Sequence, residues 1–258
     1  MFRNQYDNDV TVLSPDGRMR QVEYAMEAVK QGSATVGVKS NTHAILVALK
    51  RVPGDLTDHQ KKVMRLDEHM GLSMAGLLSD GRILGRSMET ECIEYRWAYN
   101  SPIPLRVMLE TLEDKHQVRT QGYGRRPFGV GLLIAAVDDD GTHILQTCPS
   151  GHMYACHAMA IGARAQSART YLERNITAFP DASLDQLILH GLRALHDSLP
   201  NDQRLTQDNT SLAVVAKDQN FCVYDDQAVR RFIDRLNDQL PQPAPAQPAE
   251  GEAAQEAP

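Results

Sequence analysis

Two periodicities alternate along the chain. Apolar runs bounded by turn residues come in pairs: residues 33–39 and 43–50 flank Ser40-Asn41, and residues 63–66 and 70–75 flank Asp67-Glu68-His69. Each pair reads as a hairpin of antiparallel strands. The apolar spacing then changes to three and four. Residues 78–99 carry Ile83, Leu84, Ser87, Met88 and Cys92 on one stripe, and residues 105–117 start a second helix after Pro102-Ile103-Pro104. Strand-like runs return at 130–137, 143–148 and 153–159, with Asp138-Asp139-Asp140-Gly141 as a hairpin loop. Helices follow over 163–175 and 183–199. The second opens with Ser183 and Gln186 at capping-box spacing and stops at Pro200. A last strand pair, 211–217 and 221–224, precedes a helix over 227–236. Clustered hairpins separated by pairs of helices predict an α+β fold, with two antiparallel sheets face to face and helices outside, in four layers.

Ahead of the first hairpin lies a more distinctive segment. Ser14-Pro15-Asp16-Gly17 has turn chemistry: proline presets φ, and aspartate and glycine tolerate the conformations that close the turn. Next comes a short helical pattern with Val22, Met26 and Val29 on one face, and Gly32 stands where a helix C-cap belongs. An extended polar leader thus reaches a rigid turn and an amphipathic helix.

Composition narrows the function classes. The 258 residues are 42% apolar and 23% charged, which suits a large globular core. A net charge of −6 argues against nonspecific binding to nucleic acid or an anionic membrane. No apolar run reaches bilayer length and no basic-then-apolar leader opens the chain, so an intracellular protein with reduced thiols is expected. Cys148, His152, Cys156 and His157 fall within ten residues, but Pro149-Ser150-Gly151 reads as a turn between strands. Buried small thiols and a surface histidine are the expected reading, with no metal and no cofactor. Composition changes abruptly after residue 240. Residues 241–258 hold five prolines, six alanines and three glutamates with no large apolar side chain, and are expected to be a disordered acidic tail.

The wording of the N-terminal segment carries more than its periodicity. Tyr6-Asp7, Ser14-Pro15-Asp16-Gly17-Arg18 and Gln21-Val22-Glu23-Tyr24-Ala25 occur in this order, and the chain here resembles the N-terminal signature of α-type subunits of the 20S proteasome. Gln60-Lys61-Lys62, Ala75-Gly76-Leu77, residues 123–130 and Ile161-Gly162-Ala163-Arg164 extend the resemblance to about Leu236. The first ten residues look most like the eukaryotic type-1 branch, although Asn8 stands where many α subunits carry arginine. The resemblance implies an αββα sandwich of the N-terminal-nucleophile hydrolase type, with 1–17 as gate tail and turn, 18–240 as the subunit domain and 241–258 as tail. It implies partners as well: other α subunits in a hetero-heptameric ring, β-ring subunits that hold the protease sites, and regulatory-particle ATPases or other activators. Cytoplasm and nucleus are the compartments it implies.

Two roles for named residues follow from that resemblance. Tyr6, Asp7, Pro15 and Tyr24 match a cluster that orders the converging tails at the gate. Lys62, with Gly76 and Leu77, matches a pocket that captures the C-terminal carboxylate of an activator, which a lysine ammonium at a pocket mouth would suit. The plainer alternatives are two surface tyrosines and a solvated lysine beside Lys61. Phosphate loops, nucleophile elbows and zinc-helix motifs are absent from the sequence. The competing enzyme reading is self-cleavage before Ser33, whose freed amine would serve as base, with Lys62 where catalytic subunits supply lysine. Against it, Leu49 falls where active subunits carry aspartate, and a retained helix over 20–31 would cover the cleft mouth. No catalytic residue is therefore expected. A free-standing binding module is the third reading.

Overall fold

The computed structural model describes residues 6–51, 56–200 and 203–239. The acidic tail expected at 241–258 lies outside them. Ten strands form two five-stranded sheets among the described residues. The first sheet has the order β10 (Gln219–Tyr224), β9 (Thr210–Ala216), β2 (His43–Leu49), β1 (Thr35–Lys39) and β8 (Ala158–Ile161). The second runs β3 (Val63–Arg65), β4 (Met70–Gly76), β5 (Val130–Asp138), β6 (Gly141–Thr147) and β7 (Met153–Cys156). Every pairing is antiparallel.

Alternation along the strands builds three apolar layers. Ile45, Val47, Leu212 and Val214 face helices α4 (Ala165–Arg174), α5 (Leu184–Asp197) and α6 (Gln227–Gln239). Met70, Leu72, Met74, Leu132 and Ile134 face α2 (Leu78–Tyr99) and α3 (Leu105–Gln121). The layer between the sheets is made of smaller residues, with Ala44, Ala48, Ala75, Ala135 and Ala213 around Leu46, Leu133 and Phe221. The αββα sandwich expected from the hairpin clusters is what forms. The Ser183–Gln186 capping box closes at the start of α5, with Ser183 N–H donating to Gln186 Oε1 at 3.0 Å.

Three local expectations change. The run 153–159 is not one strand: β7 pairs with β6 and β8 pairs with β1, so the chain passes between sheets at His157, whose carbonyl accepts from Lys39 N–H at 3.0 Å. Continuous β spacing does not record which sheet a strand joins. On helix α1 (Arg20–Gln31), Val22 and Ala25 are buried while Met26 is exposed, so the buried face is rotated by one residue. On α2 the buried stripe is Leu84, Met88 and Cys92, and Ile83 faces outward.

His116 on α3 is fully buried, stacks edge-on against Phe128 at 5.3 Å, and neither ring nitrogen makes a hydrogen bond of ordinary geometry. Burial pushes its imidazole down to about 4, the nearby Pro149 carbonyl opposing. The native state therefore holds the neutral ring, and the stability this brings is present above the ordinary pKa of about 6.5 and lost as pH falls toward 4. The shift corresponds to about 3 kcal/mol. His116→Leu should lessen the fall in urea midpoint between pH 7 and pH 4.5, followed by circular dichroism. Equal falls in both proteins would remove His116 from acid denaturation.

Candidate functional site

The N-terminal segment is built from its turn upward. Ser14 N–H donates to the Arg18 carbonyl at 2.9 Å, Gly17 N–H to the Ser14 carbonyl at 2.8 Å, and Arg18 N–H to Ser14 Oγ at 3.1 Å. Gly17 takes φ of 73°, a left-handed conformation that favours glycine. The closed turn aims the chain into α1, where Glu23 sits near the helix N-terminus and pairs with Arg20 at 3.0 Å. One helical turn then presents Gln21 and Tyr24 together. The Tyr24 hydroxyl donates to Asp7 Oδ2 at 3.0 Å, and Gln21 Nε2 donates to the Asp7 carbonyl. Asp7 is gripped by side chain and main chain at once. Its carboxylate raises the Tyr24 phenol pKa by accepting that proton in a hydrogen bond. Downstream, Asp9 Oδ1 accepts from Thr11 N–H at 2.8 Å and Val10 is buried.

Among the expected gate residues, Asp7 and Tyr24 touch. Pro15 lies in the turn, exposed, and Tyr6 is half-buried without a hydrogen bond among the described residues. Gln21 is the member that sequence reasoning missed. Its signal was its place three residues before Tyr24.

A second convergence surrounds Gly32-Ser33. Ser33 Oγ donates to the Leu49 carbonyl at 2.8 Å. Lys62 Nζ donates to Ser33 Oγ at 2.8 Å, to the Ser33 carbonyl, and to the Ala34 carbonyl at 3.4 Å. Ala163 N–H donates to the Gly32 carbonyl at 2.7 Å. Gly32 is not a left-handed C-cap: its φ of −67° and ψ of 149° are extended. It is needed because a β-carbon there would lie 2.1 Å from Gly76 N. Gly76 itself has φ of +115°, and a β-carbon on it would meet the Gly129 carbonyl oxygen at 2.3 Å. Lys62 and Gly76 thus flank the junction from two sides, with Leu77 half-exposed at the start of α2. Lys62, expected at a pocket mouth, is only 1% exposed. Burial, with help from the Arg51 charge, pushes its pKa down to about 7. Ser33 and Ala34 form part of the wall of a cavity of about 730 Å³, with Leu49, Arg51, His59 and Arg164.

Sequence comparison decides between the readings. The sequence model of the family described as "Proteasome subunit" matches residues 29–215, and the model of the N-terminal signature of A-type proteasome subunits matches residues 6–28. Proteasome subunit alpha type-1 of Caenorhabditis elegans is 55% identical over 92% of this chain and 91% of its own. The chain belongs to the α-type proteasome subunit family. Proteasome subunit alpha type-1 of Dictyostelium discoideum is 46% identical over 93% of this chain and 98% of its own, and the Saccharomyces cerevisiae protein named alpha type-6 is 49% identical over 90% and 100%.

As an α-type proteasome subunit, the protein belongs to the noncatalytic ring of the 20S core. Ser33 and Lys62 are in contact as a nucleophile and lysine would be, and the Ser33 nitrogen could serve as a base only after a cut between Gly32 and Ser33. The Ser33 hydroxyl spends its proton on the Leu49 carbonyl, where active subunits are expected to carry a carboxylate. Ser33→Ala should leave fluorogenic peptide hydrolysis by the complete particle within experimental error, and a loss of turnover would reopen the hydrolase reading.

Two other features complete the α-type subunit. Among the described residues, no three His, Cys, Asp or Glu side chains gather to hold a metal; Cys148 and Cys156 are half-buried, and burial raises both thiols. An ion pair that sequence reasoning did not single out joins Arg126 to Asp80. Burial alone would raise the Asp80 carboxyl, but hydrogen bonds from Arg126 and from Gly129 N–H hold it below the usual carboxylate range.

Proposed function

We propose that this α-type subunit builds its ring beside other α subunits in a hetero-heptamer and seats on β-ring subunits. Its N-terminal tail helps gate substrate access, and it docks regulatory-particle ATPases or other activators near Lys62, Gly76 and Leu77, in cytoplasm and nucleus. One observation carries the gating role: Asp7 is held by Tyr24 and Gln21 from one face of α1, so the tail's path depends on that helix. Losing the charge-assisted hydrogen bond from Tyr24 would leave the tail tied to its helix by Gln21 alone, so the clamp can loosen in steps. Heterologous contacts that close after a fixed number of rotations need apolar surface on the monomer's flanks. Ile93, Trp97 and Tyr99 on α2 are exposed by 68%, 76% and 68%, a patch of the kind that partner subunits cover.

Deleting residues 1–9 should raise basal fluorogenic peptide hydrolysis by the complete particle, on the order of twofold, because other tails still contribute to the closed pore. Tyr24→Phe, which removes only the hydroxyl donor, should move the basal rate in a smaller step. An unchanged rate in the deletion would overturn the gating role.

A further inference from the structure

We propose that the Asp80–Arg126 ion pair is a positioning element that locks Gly76-Leu77 and helix α1 onto one floor, so that a chain seated against Gly76-Leu77 displaces the gate helix. The inference rests on the gate-and-pocket reading above.

Helix α1 is attached to the sandwich in an unusual way. Arg20 bonds Glu23, Lys30 bonds Glu27, and Gln21 and Tyr24 bond Asp7; among the described residues, no α1 side chain makes a hydrogen bond or ion pair to the sheets. Its seat is set by shape alone. Val22 and Ala25 are buried, and Ala28 and Val29 are half-buried over the start of β5. That floor is glycine: a β-carbon on Gly129 would lie 2.7 Å from Leu77 Cδ1 and 3.6 Å from Ala28 Cβ, and one on Gly131 would lie 3.0 Å from Val29 Cγ1. The same floor carries the docking loop. Leu77 N–H donates to the Gly129 carbonyl at 2.8 Å, and Gly76 lies against that oxygen.

One carboxylate holds residue 129 in place. Gly129 N–H donates to Asp80 Oδ2 at 2.9 Å, and Arg126 grips Asp80 through Nη1 at 2.5 Å and Nη2 at 2.8 Å. Asp80 is 4% exposed and sits in the first turn of α2, three residues after Leu77. Arg126 Nη1 also donates to the Pro127 carbonyl at 3.0 Å, which fixes the segment between the guanidinium and Gly129. A bidentate pair of this kind specifies geometry as well as energy. A smooth floor and a single charged strut transmit displacement, because packed surfaces shift as bodies and do not deform continuously.

The test uses complete 20S particles carrying Asp80→Asn with Arg126→Gln. The asparagine oxygen can still accept from Gly129 and the amide pair can still bond, so no buried charge is stranded. Hydrogen exchange of residues 20–31 in the resting particle should rise several-fold, because the helix loses a fixed floor. On titration with the regulatory particle, the half-maximal concentration should stay within about twofold while the plateau of peptide hydrolysis falls on the order of twofold. Arg126→Lys, which keeps the charge and loses the fork, should lie between. Unchanged exchange at 20–31 overturns the proposal, as does a shift in half-maximal concentration with an intact plateau, which would make the pair a pocket wall only. Lys62→Met and the 1–9 deletion run in parallel. If neither of these moves the plateau or the basal rate, the gate-and-pocket reading has failed and the coupling falls with it, whereas a normal double variant beside responsive controls sinks the coupling alone.

Discussion

Gly32→Val should keep this subunit out of assembled particles. The reason is contact and not backbone strain, because φ of −67° and ψ of 149° are open to valine. A β-carbon at residue 32 would sit 2.1 Å from Gly76 N, 2.9 Å from its Cα and 3.0 Å from the Ala75 carbonyl carbon. All three are main-chain atoms of β4, so no rotamer change relieves the clash. β4 cannot retreat, since Gly76 already lies against the Gly129 carbonyl. On the other side, a β-carbon at Gly162 would meet the Ser33 and Gly32 carbonyl oxygens at 2.7 and 2.9 Å. Separating these segments means lifting α1 off the sandwich, at a cost of more than about 4 kcal/mol. Native mass spectrometry of particles from cells expressing the tagged variant should find none of it in rings. Gly17→Asn is the control: its φ of 73° suits asparagine and no atom lies within 4 Å of the added carbon, so it should incorporate normally. Gly32→Val at wild-type stoichiometry would mean that α1 and β4 do not meet at this point.

The same glycine marks where sequence reading reaches its limit. Placing Gly32 after the last apolar position of a helical pattern is sound, and the helix does end there. What periodicity cannot supply is the reason for glycine, which lies 44 residues away in Gly76. Hairpins and caps were legible because their partners are near in sequence, as with Ser183 and Gln186. The run 153–159 was legible as β but not as two strands in two sheets, because that division is made by β1 and β6 and not by the run itself. Asp7 and Tyr24 were paired through resemblance, and their 3.0 Å hydrogen bond supplies a physical basis that spacing alone could not. Asp80 and Arg126, 46 residues apart, look like ordinary surface charges in sequence; only burial of one of them makes the pair specific.

The burial of Lys62 was not legible either, and its two obvious substitutions should separate sharply. A lysine beside Lys61 looks solvated, yet Lys62 is among the largest fully buried side chains and donates to three oxygens of Ser33 and Ala34. Lys62→Ala therefore removes buried methylenes and strands those acceptors, a loss of about 3–5 kcal/mol, and should reduce the amount of assembled particle. Lys62→Met keeps the volume and loses only the donors, about 1–3 kcal/mol, and should assemble. The methionine variant then tests docking without a folding defect. Among the described residues no carboxylate bonds to the ammonium, and burial has brought its pKa to about 7. For a lysine lowered from about 10.5, the cost to the fold is absent above pH 10.5, grows as pH falls, and is complete below about 7. An arriving terminal carboxylate would hold the group charged. Stimulation of peptide hydrolysis by a tail-docking activator should accordingly be strongest near pH 6.5 and decline by pH 8.5 in the wild type, with this decline lost and the response lower throughout in Lys62→Met. If Lys62→Met particles follow the wild-type activator titration at both pH values, Lys62 is a buried tie on Ser33 and the activator docks elsewhere.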